Sequence, residues 1–234
     1  MTAKPGIIDI GGCGREWVST FSASPSLGLS IIPTAISAYK AVEPAVRFSV
    51  RTSMIDEMPA ELLGKSSEFC IAIWPVEHPN LQCTPLFKGR LKLILPDGHR
   101  LADNDIVVPN ELHEEQVISF ISDLRISGLI RNQFQNAGIV LDPIVEVSRS
   151  KLACALVRKN VGVALIYSFS VDNDLWNGFV VKDIDIDIPV YAYLLTSNFS
   201  PLSAFAQRFV RQVYNAAEDL GYETFYFPRG IVSS

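Results

Sequence analysis

The chain has 234 residues, of which 48% are hydrophobic, and its formal net charge is −5 at pH 7. A chain of this length and composition can bury a substantial core, as one large domain or two small ones, and this excludes a disordered protein. The basic residues are scattered along the sequence, so this chain offers no Lys/Arg stripe to the phosphates of a nucleic acid.

The sequence carries no marks of a membrane or secreted protein. No apolar run approaches the roughly 20 residues that a membrane-spanning helix needs, and residues 1–14 lack the organisation of a signal peptide. We therefore expect a cytoplasmic protein. Four widely spaced cysteines form no C-x-x-C pair, which disfavours a zinc site or a disulfide framework and predicts free thiols; they are Cys13, Cys70, Cys83 and Cys154. We expect neither a metal nor a cofactor.

The first third of the chain alternates predicted strands and helices. A β-prone run, Val18–Phe21, leads through a serine-rich loop into an amphipathic helix over Leu27–Val42, and Val46–Val50 follows as a strand. A second helix is predicted from Ser53, its N-cap, with a kink or break at its proline. The continuous apolar run Phe69–Trp74 is typical of a strand buried on both faces. This alternation predicts an α/β fold with right-handed crossovers.

The same alternation returns in the second half. Arg90–Pro96 and Glu114–Ile121 are predicted strands, and the helix after the second has either Ser122 or Asp123 as its cap. The next strand–helix junction has Ser148 or Ser150 as its cap. A buried run, Val163–Tyr167, follows, and a strand and a long amphipathic helix complete the pattern.

Three stretches carry a resemblance to a known family. They are "SPSLGLSIIPTAISAYKAVEPAVRFSV" from Ser24, "TPLFKGRLKLILPDGHRLA" from Thr84 and "VEVSRSKLACALVRKNVGVALIY" from Val145. In this order they resemble the effector-binding (substrate-binding) domain of LysR-type transcriptional regulators, over about residues 17–220. Within that family, the last stretch and the pair Ser53–Met54 are similar to the opine-responsive members.

The resemblance implies an α/β fold of two Rossmann-like lobes joined by crossover strands, like the type 2 periplasmic binding proteins. It assigns 17–92 and 190–222 to lobe I and 93–189 to lobe II. Residues 1–16 stay unassigned, and 223–234 form a C-terminal tail. The family's N-terminal winged helix-turn-helix has no counterpart in this chain, so we expect the chain to be the sensor part of a longer regulator.

The resemblance also implies a function. By this resemblance, a small organic effector is expected to bind in the cleft between the lobes, with a carboxylate as its expected polar group, and lobe closure is expected to alter the geometry of an oligomer on DNA. The isolated domain is expected to form a homodimer through its first helix and the full-length protein a homotetramer. DNA is contacted only through the missing domain, and no membrane is involved. The alternative is a solute-binding protein serving a transporter, which the missing signal peptide and the second stretch disfavour.

The candidate effector contacts are side chains at the ends of predicted strands, because ligands of open α/β sheets bind there. Ser26 falls where the family commonly bonds an effector carboxylate, but its hydroxyl is equally suited to cap the helix. If the effector is an opine, as the similarity to the opine-responsive members implies, Asp123 would suit its cationic end. Trp74 and Tyr167 end buried runs and are expected either to wall the cleft or to pack in the core. The full set is Ser24, Ser26, Thr52, Ser53, Trp74, Ser119, Ser122, Asp123, Ser148 and Tyr167.

Catalysis finds little support in the sequence. The three histidines, His78, His99 and His113, lie outside any G-x-S-x-G, H-E-x-x-H or Cys/His arrangement. No nucleophile–base pair stands out, so we expect no enzyme.

Overall fold

The computed structural model describes residues 18–171 and 177–225. The chain divides into two compact units, unit 1 with Met1–Lys88 and Tyr191–Ser234, and unit 2 with Gly89–Val190. The predicted unassigned segment 1–16 and residues 226–234 of the predicted tail lie outside the described residues. Within the described ranges, no helix is both long and apolar enough to cross a bilayer.

The elements of both units are numbered along the chain. The strands are β1 (Val18–Ala23), β2 (Arg47–Thr52), β3 (Cys70–Ala72), β4 (Leu81–Gly89), β5 (Leu91–Pro96), β6 (Ile106–Val107), β7 (Val117–Phe120), β8 (Val145–Val147), β9 (Val163–Tyr167), β10 (Phe179–Ile184), β11 (Val190–Ser197) and β12 (Glu223–Thr224). The α-helices are α1 (Ile31–Val42), α2 (Met58–Leu63), α3 (Arg125–Asn136), α4 (Ser150–Val157) and α5 (Ala204–Asp219).

Unit 1 is built on a sheet with the strand order β12-β4-β11-β3-β1-β2 among the described residues. β1 runs parallel to both β2 and β3, whereas β11 is antiparallel to β3. The carboxyl ends of β1, β2 and β3 therefore meet at one edge of the sheet. This edge leads into the serine-rich loop, the Ser53 loop and the residues after β3.

An aromatic core covers one face of this sheet. Phe21 of β1 stacks on Phe69 with ring centroids 4.8 Å apart, and Phe209 of α5 packs on Phe21 at 5.0 Å. Tyr39 of α1 contacts Phe205 at 5.0 Å, so α1 and α5 pack together on this face. Since side chains alternate along a strand, the neighbours of Phe21 and Phe69 face the other way.

A smaller apolar cluster covers the opposite face, where α2 lies. Met58 and Leu62 of α2 pack with Cys70 of β3, and Leu195 of β11 belongs to the same cluster. α2 is much shorter than the helix predicted from Ser53. Pro59 lies in its first turn, where a missing N–H costs nothing, so the predicted break is instead a helix start.

Unit 2 carries its own sheet, with the order β6-β10-β5-β9-β7-β8 among the described residues. β7 is parallel to β8 and β9, and β5 is antiparallel to β9. All five residues of β9 are buried, as its apolar run predicts. α3 buries Ile126, Ile130 and Phe134, one per turn.

The predicted helix caps of unit 2 are wrong. α3 begins after Leu124, and neither Ser122 nor Asp123 is its cap. α4 begins after Arg149, so Ser150 is its first residue and Ser148 lies one residue outside the helix end. α3 begins one or two residues later than expected, and the N-cap of α4 falls between its two predicted caps, at Arg149. A cap depends on that single-residue boundary.

Candidate functional site

The loop after β1 is bound to the end of β3 through Ser24. The Ser24 backbone N–H donates to the Ile71 carbonyl at 2.8 Å, and the Ser24 hydroxyl accepts from the Ile73 N–H at 3.2 Å. Ser24 is 3% exposed. Its hydroxyl therefore holds two neighbouring loops of the sheet edge together, although its own proton is still available to another acceptor.

Ser26 has a different environment, although it lies in the same loop. It precedes a 3₁₀ turn, Leu27–Leu29, and its hydroxyl makes no capping hydrogen bond to that turn. The residue is 6% exposed, and its Oγ is shielded from solvent with no hydrogen-bond partner. Ser26 Oγ is thus an unsatisfied polar atom of this loop. A buried hydroxyl without a partner costs about 1–3 kcal/mol of folding free energy.

The loop after β2 contributes Thr52 and Ser53. Thr52 is exposed at the strand end, and Ser53 is 4% exposed. The Ser53 hydroxyl is not the helix cap that the sequence predicts; it donates to Oε1 of Glu61 at 2.6 Å. The Ser53 N–H donates to the Ala23 carbonyl at 3.1 Å, which joins this loop to the end of β1.

Glu61, on α2, is a residue that sequence reasoning missed. Its Oε2 accepts from the Ser67 hydroxyl at 3.1 Å. Burial alone would raise the pKa of the Glu61 carboxyl, but hydrogen bonds from Ser22, Ser53 and Ser67 and the charge of Arg51 together lower that pKa. Glu61 is therefore ionised at neutral pH, and its serine partners approach it from three separate segments of unit 1.

The two predicted aromatic residues differ in burial. Trp74 lies two residues beyond β3 and is half-buried. Tyr167 ends β9, is 6% exposed, and packs its ring on Phe120 with centroids 5.3 Å apart. Tyr167 is thus part of the unit 2 core. Of the two roles expected for this residue, the structure favours core packing.

The predicted contacts of unit 2 lie at the carboxyl ends of β7 and β8. Ser119 is 3% exposed and belongs to β7 itself. Ser122 and Asp123, in the turn after β7, and Ser148, after β8, are all exposed. Exposure leaves these three side chains available to a ligand but gives no sign that they bind one.

Ser150 is the residue of unit 2 that resembles Ser26. It is the first residue of α4, directly after the β8 turn, and it is 6% exposed. Its Oγ is shielded from solvent and has no hydrogen-bond partner. The sequence offered Ser150 only as a helix cap, so its position as an unsatisfied hydroxyl at a helix N-terminus was missed.

A cavity of about 500 Å³ opens elsewhere in unit 2. Its lining includes His99, Glu115 and Gly162, at the amino ends of β7 and β9. Glu115 is already paired there, with Arg100 at 2.7 Å and with Nε2 of His99 at 3.1 Å. None of the predicted effector contacts lines this cavity. Those of unit 2 lie towards the opposite, carboxyl ends of β7, β8 and β9.

The described residues also bear on metal and thiol chemistry. Within 18–171 and 177–225, no group of three or more His, Cys, Asp and Glu side chains is arranged to hold a metal ion. Cys70, Cys83 and Cys154 are free thiols, whereas Cys13 lies outside the described residues. Burial raises the pKa of Cys70 and of Cys154 to about 12, so both thiols are protonated.

The chain passes between the two α/β units twice. In each unit, helices begin at the carboxyl ends of parallel strands. These features define the class of type 2 periplasmic-binding-protein-like domains. Residues 19–218 match the family model described as the LysR substrate binding domain. The chain belongs to this family and is the effector-binding domain of a LysR-type regulator, which confirms the resemblance and the fold class derived from the sequence.

Curated relatives agree with this family. The chain is 27% identical over 158 residues to the regulatory protein NocR of Agrobacterium tumefaciens (strain T37), covering 66% of this chain and 51% of that protein. It is 28% identical over 116 residues to the transcriptional activator protein LysR of Escherichia coli (strain K12), covering 50% of this chain and 37% of that protein. The chain thus spans about half the length, or less, of these transcriptional regulators.

Solved structures share the fold. The effector-binding domain of BenM with its effector benzoate superposes with a TM-score of 0.72, at 18% identity, over 91% of this chain and 96% of that chain. HinK, a LysR family transcriptional regulator from Pseudomonas aeruginosa, gives a TM-score of 0.71, at 16% identity, over 86% of this chain and 71% of that chain.

Proposed function

We propose that this chain senses a small carboxylate-bearing effector and that, within a longer LysR-type regulator, effector binding controls transcription. The observation that carries the effector chemistry is the buried, unpartnered hydroxyl of Ser26. It lies three residues after the carboxyl end of β1, at the start of the 3₁₀ turn Leu27–Leu29 that leads into α1. Backbone N–H groups and the positive end of a helix dipole favour an anion at such a place.

Ser26 then acts as a hydrogen-bond donor to the effector carboxylate, whereas the Ser24 hydroxyl and the Ser53 N–H hold the loops in place. Ser150 is the corresponding hydroxyl of unit 2. Trp74, Thr52, Ser119, Ser122 and Asp123 remain proposed contacts, and in the loop after β8 we propose Ser150 in place of Ser148. Tyr167 also remains a proposed contact, although its ring packs on Phe120 in the core.

The wider role follows from the family. We propose that the protein works in the cytoplasm as a regulator and not as an enzyme, that it binds DNA through a domain outside this chain, and that a homodimer of this chain lies within a homotetramer of the whole protein. The effector must bind one arrangement of the protein more tightly than another, since otherwise no population shifts.

The proposed dimer face includes the first helix. Val42, at the end of α1, is 77% exposed, and Val50, on the edge strand β2, is 39% exposed. Apolar side chains grouped on a surface often mark protein contacts. Analytical ultracentrifugation of the chain and of Val42→Glu tests this face: the change is expected to shift the protein towards monomer, and an unaltered dimer would exclude α1 from the contact.

The effector chemistry is tested by a thermal-shift screen with free amino acids, opines and aromatic acids, because a ligand that binds only the folded state raises the melting temperature. For a hit, Ser26→Ala is expected to lower the affinity about tenfold without lowering the stability of the ligand-free chain. Ser24→Ala is the contrasting variant, since it leaves the Ile73 N–H without its acceptor and is expected to destabilise the chain. Unchanged affinity in Ser26→Ala would contradict the proposal.

A further inference from the structure

The hydrogen bond between Ser53 and Glu61 restricts what the Ser53 hydroxyl can do. A serine hydroxyl has one proton and two lone pairs. The Ser53 proton is donated to Glu61 Oε1 at 2.6 Å. Towards any further group, Ser53 Oγ can therefore act only as an acceptor.

Ser26 has the opposite capacity. Its hydroxyl proton is not engaged by any protein group, so Ser26 can donate. A carboxylate accepts hydrogen bonds only, whereas an ammonium group only donates them. Ser26 therefore suits a carboxylate, and Ser53 with the ionised Glu61 suits an ammonium or another cationic donor.

The loops that carry the two serines lie against each other within unit 1. The Ser53 N–H donates to the carbonyl of Ala23, three residues before Ser26, at 3.1 Å. A Cβ placed on Gly28, two residues after Ser26, would lie 3.4 Å from Cγ2 of Thr52. The donor and the acceptor thus belong to adjoining loops at one edge of one sheet.

Glu61 adds a negative charge beside Ser53, which is the acceptor of this donor–acceptor pair. Its carboxylate is half-buried and accepts from the hydroxyls of Ser53 and Ser67. Neutral hydroxyls stabilise the carboxylate without cancelling its charge, and Arg51 on β2 is the cation that acts on it. A charged group at such a place discriminates between ligands more sharply than a neutral one, because hydrogen bonds to charged groups are the stronger ones.

We propose that Glu61 is a specificity-determining residue: by taking the Ser53 proton and keeping its own negative charge, it selects effectors that carry an ammonium group as well as a carboxylate. This inference rests on the proposed function, since it concerns the same loops. The effector class is then amino acids and their N-substituted derivatives that keep a protonated nitrogen, in preference to simple carboxylic acids.

The test uses matched ligand pairs that differ only in the amino group: L-norleucine and hexanoate, L-phenylalanine and 3-phenylpropanoate, and L-glutamate and glutarate. Melting temperatures and calorimetric affinities are measured for the chain, for Glu61→Gln and for Glu57→Gln. Glu57 is the matched control, because it carries the same group one turn earlier and its carboxylate accepts from the Met54 N–H at 2.7 Å, not from Ser53.

We expect an amino member to bind at least about tenfold more tightly than its partner, as the loss of a hydrogen bond to a charged group implies. This preference should disappear in Glu61→Gln and persist in Glu57→Gln. If Glu61→Gln does not fold at the assay temperature, Ser53→Ala replaces it, with the same expected loss of preference.

The outcomes separate the inference from the function. If the members without an amino group bind equally well, and Ser26→Ala weakens them, the role of Glu61 is refuted and the carboxylate sensor stands. The role is also refuted if the amino preference survives in Glu61→Gln or Ser53→Ala. If neither member of any pair binds, the carboxylate-sensing function fails together with the inference.

Discussion

The Ser53 hydroxyl donates to Glu61 Oε1 over 2.6 Å, which couples the end of β2 to α2 through an ionised carboxylate. The pKa of that carboxyl is lowered in the folded chain. A lowered pKa means that folding favours the charged form. Its contribution to stability is therefore complete above the usual glutamate range and is lost as the pH falls through the folded-state pKa.

We predict that Glu61→Gln is less stable than the unaltered chain at neutral pH, by about 1–3 kcal/mol, because an amide is a weaker acceptor for the hydroxyls of Ser53 and Ser67. The free energy of unfolding, measured by denaturant titration at neutral and at mildly acid pH, should fall less steeply with acid in the variant. Equal slopes for variant and unaltered chain would show that Glu61 is not a source of the acid sensitivity.

A second prediction concerns unit 2, where the structure favours Ser150 over the sequence-predicted Ser148. Ser150→Ala removes a buried hydroxyl that has no partner, so the ligand-free stability should be unchanged or slightly raised. The affinity for an effector found by screening should fall. Both quantities are read from melting curves with and without that effector.

Ser148→Ala is the matched control for this prediction, because Ser148 is exposed two residues earlier. It should alter neither stability nor affinity. The reverse pattern, with affinity lost in Ser148→Ala alone, would restore the original assignment of Ser148 as the contact in this loop.

These two serines illustrate what could and could not be predicted from the sequence. The elements follow from strong patterns: β9 is a continuous apolar run, and α3 repeats an apolar residue every fourth position. The role of a hydroxyl does not follow, since a shift of one residue in a helix start decides whether it caps, packs or stays unpaired. Ser150 became a first helical residue in this way.

Ser53 shows the second limit. The pattern of a serine before an amphipathic stretch is typical of an N-cap, but Pro59 moved the start of α2 to Met58. The Ser53 hydroxyl instead donates to Glu61, eight residues further along the chain. A partner at that separation depends on how the chain folds back on itself, and no local pattern in one sequence specifies it.

A third prediction concerns thiol reactivity. Cys70 and Cys154 are fully buried, and burial raises the pKa of each to about 12. Burial also raises the pKa of Cys83, but this residue is only half-buried. Because the thiolate is the reactive form, iodoacetamide should modify Cys83 in the native chain well before Cys70 and Cys154.

Peptide mapping by mass spectrometry assigns each modification and separates Cys83 from Cys13. In denaturant the described thiols should react at similar rates, since burial is then absent. Modification of Cys70 as fast as Cys83 under native conditions would mean that the α2 face of unit 1 opens on the timescale of labelling.

The last prediction compares two glycines of unit 2. A Cβ on Gly162 would lie 2.1 Å from the carbonyl oxygen of Gln116, whereas a Cβ on Gly128 would meet no atom within 4 Å. The Gln116 carbonyl accepts the Val163 N–H at 2.9 Å, where β9 begins beside β7. Gly162→Ala must push these strands apart at that bond, and an overpacked site of this kind costs about 1–3 kcal/mol.

Gly128→Ala should act in the opposite direction, because alanine within a helix such as α3 is favoured over glycine by about 0.5–1 kcal/mol. Denaturant unfolding of the two variants beside the unaltered chain measures both effects, and the sign of the difference decides the outcome. Since the chemical change is identical, two variants of equal stability would refute the close approach of β9 to Gln116, and with it the register in which β9 pairs with β7.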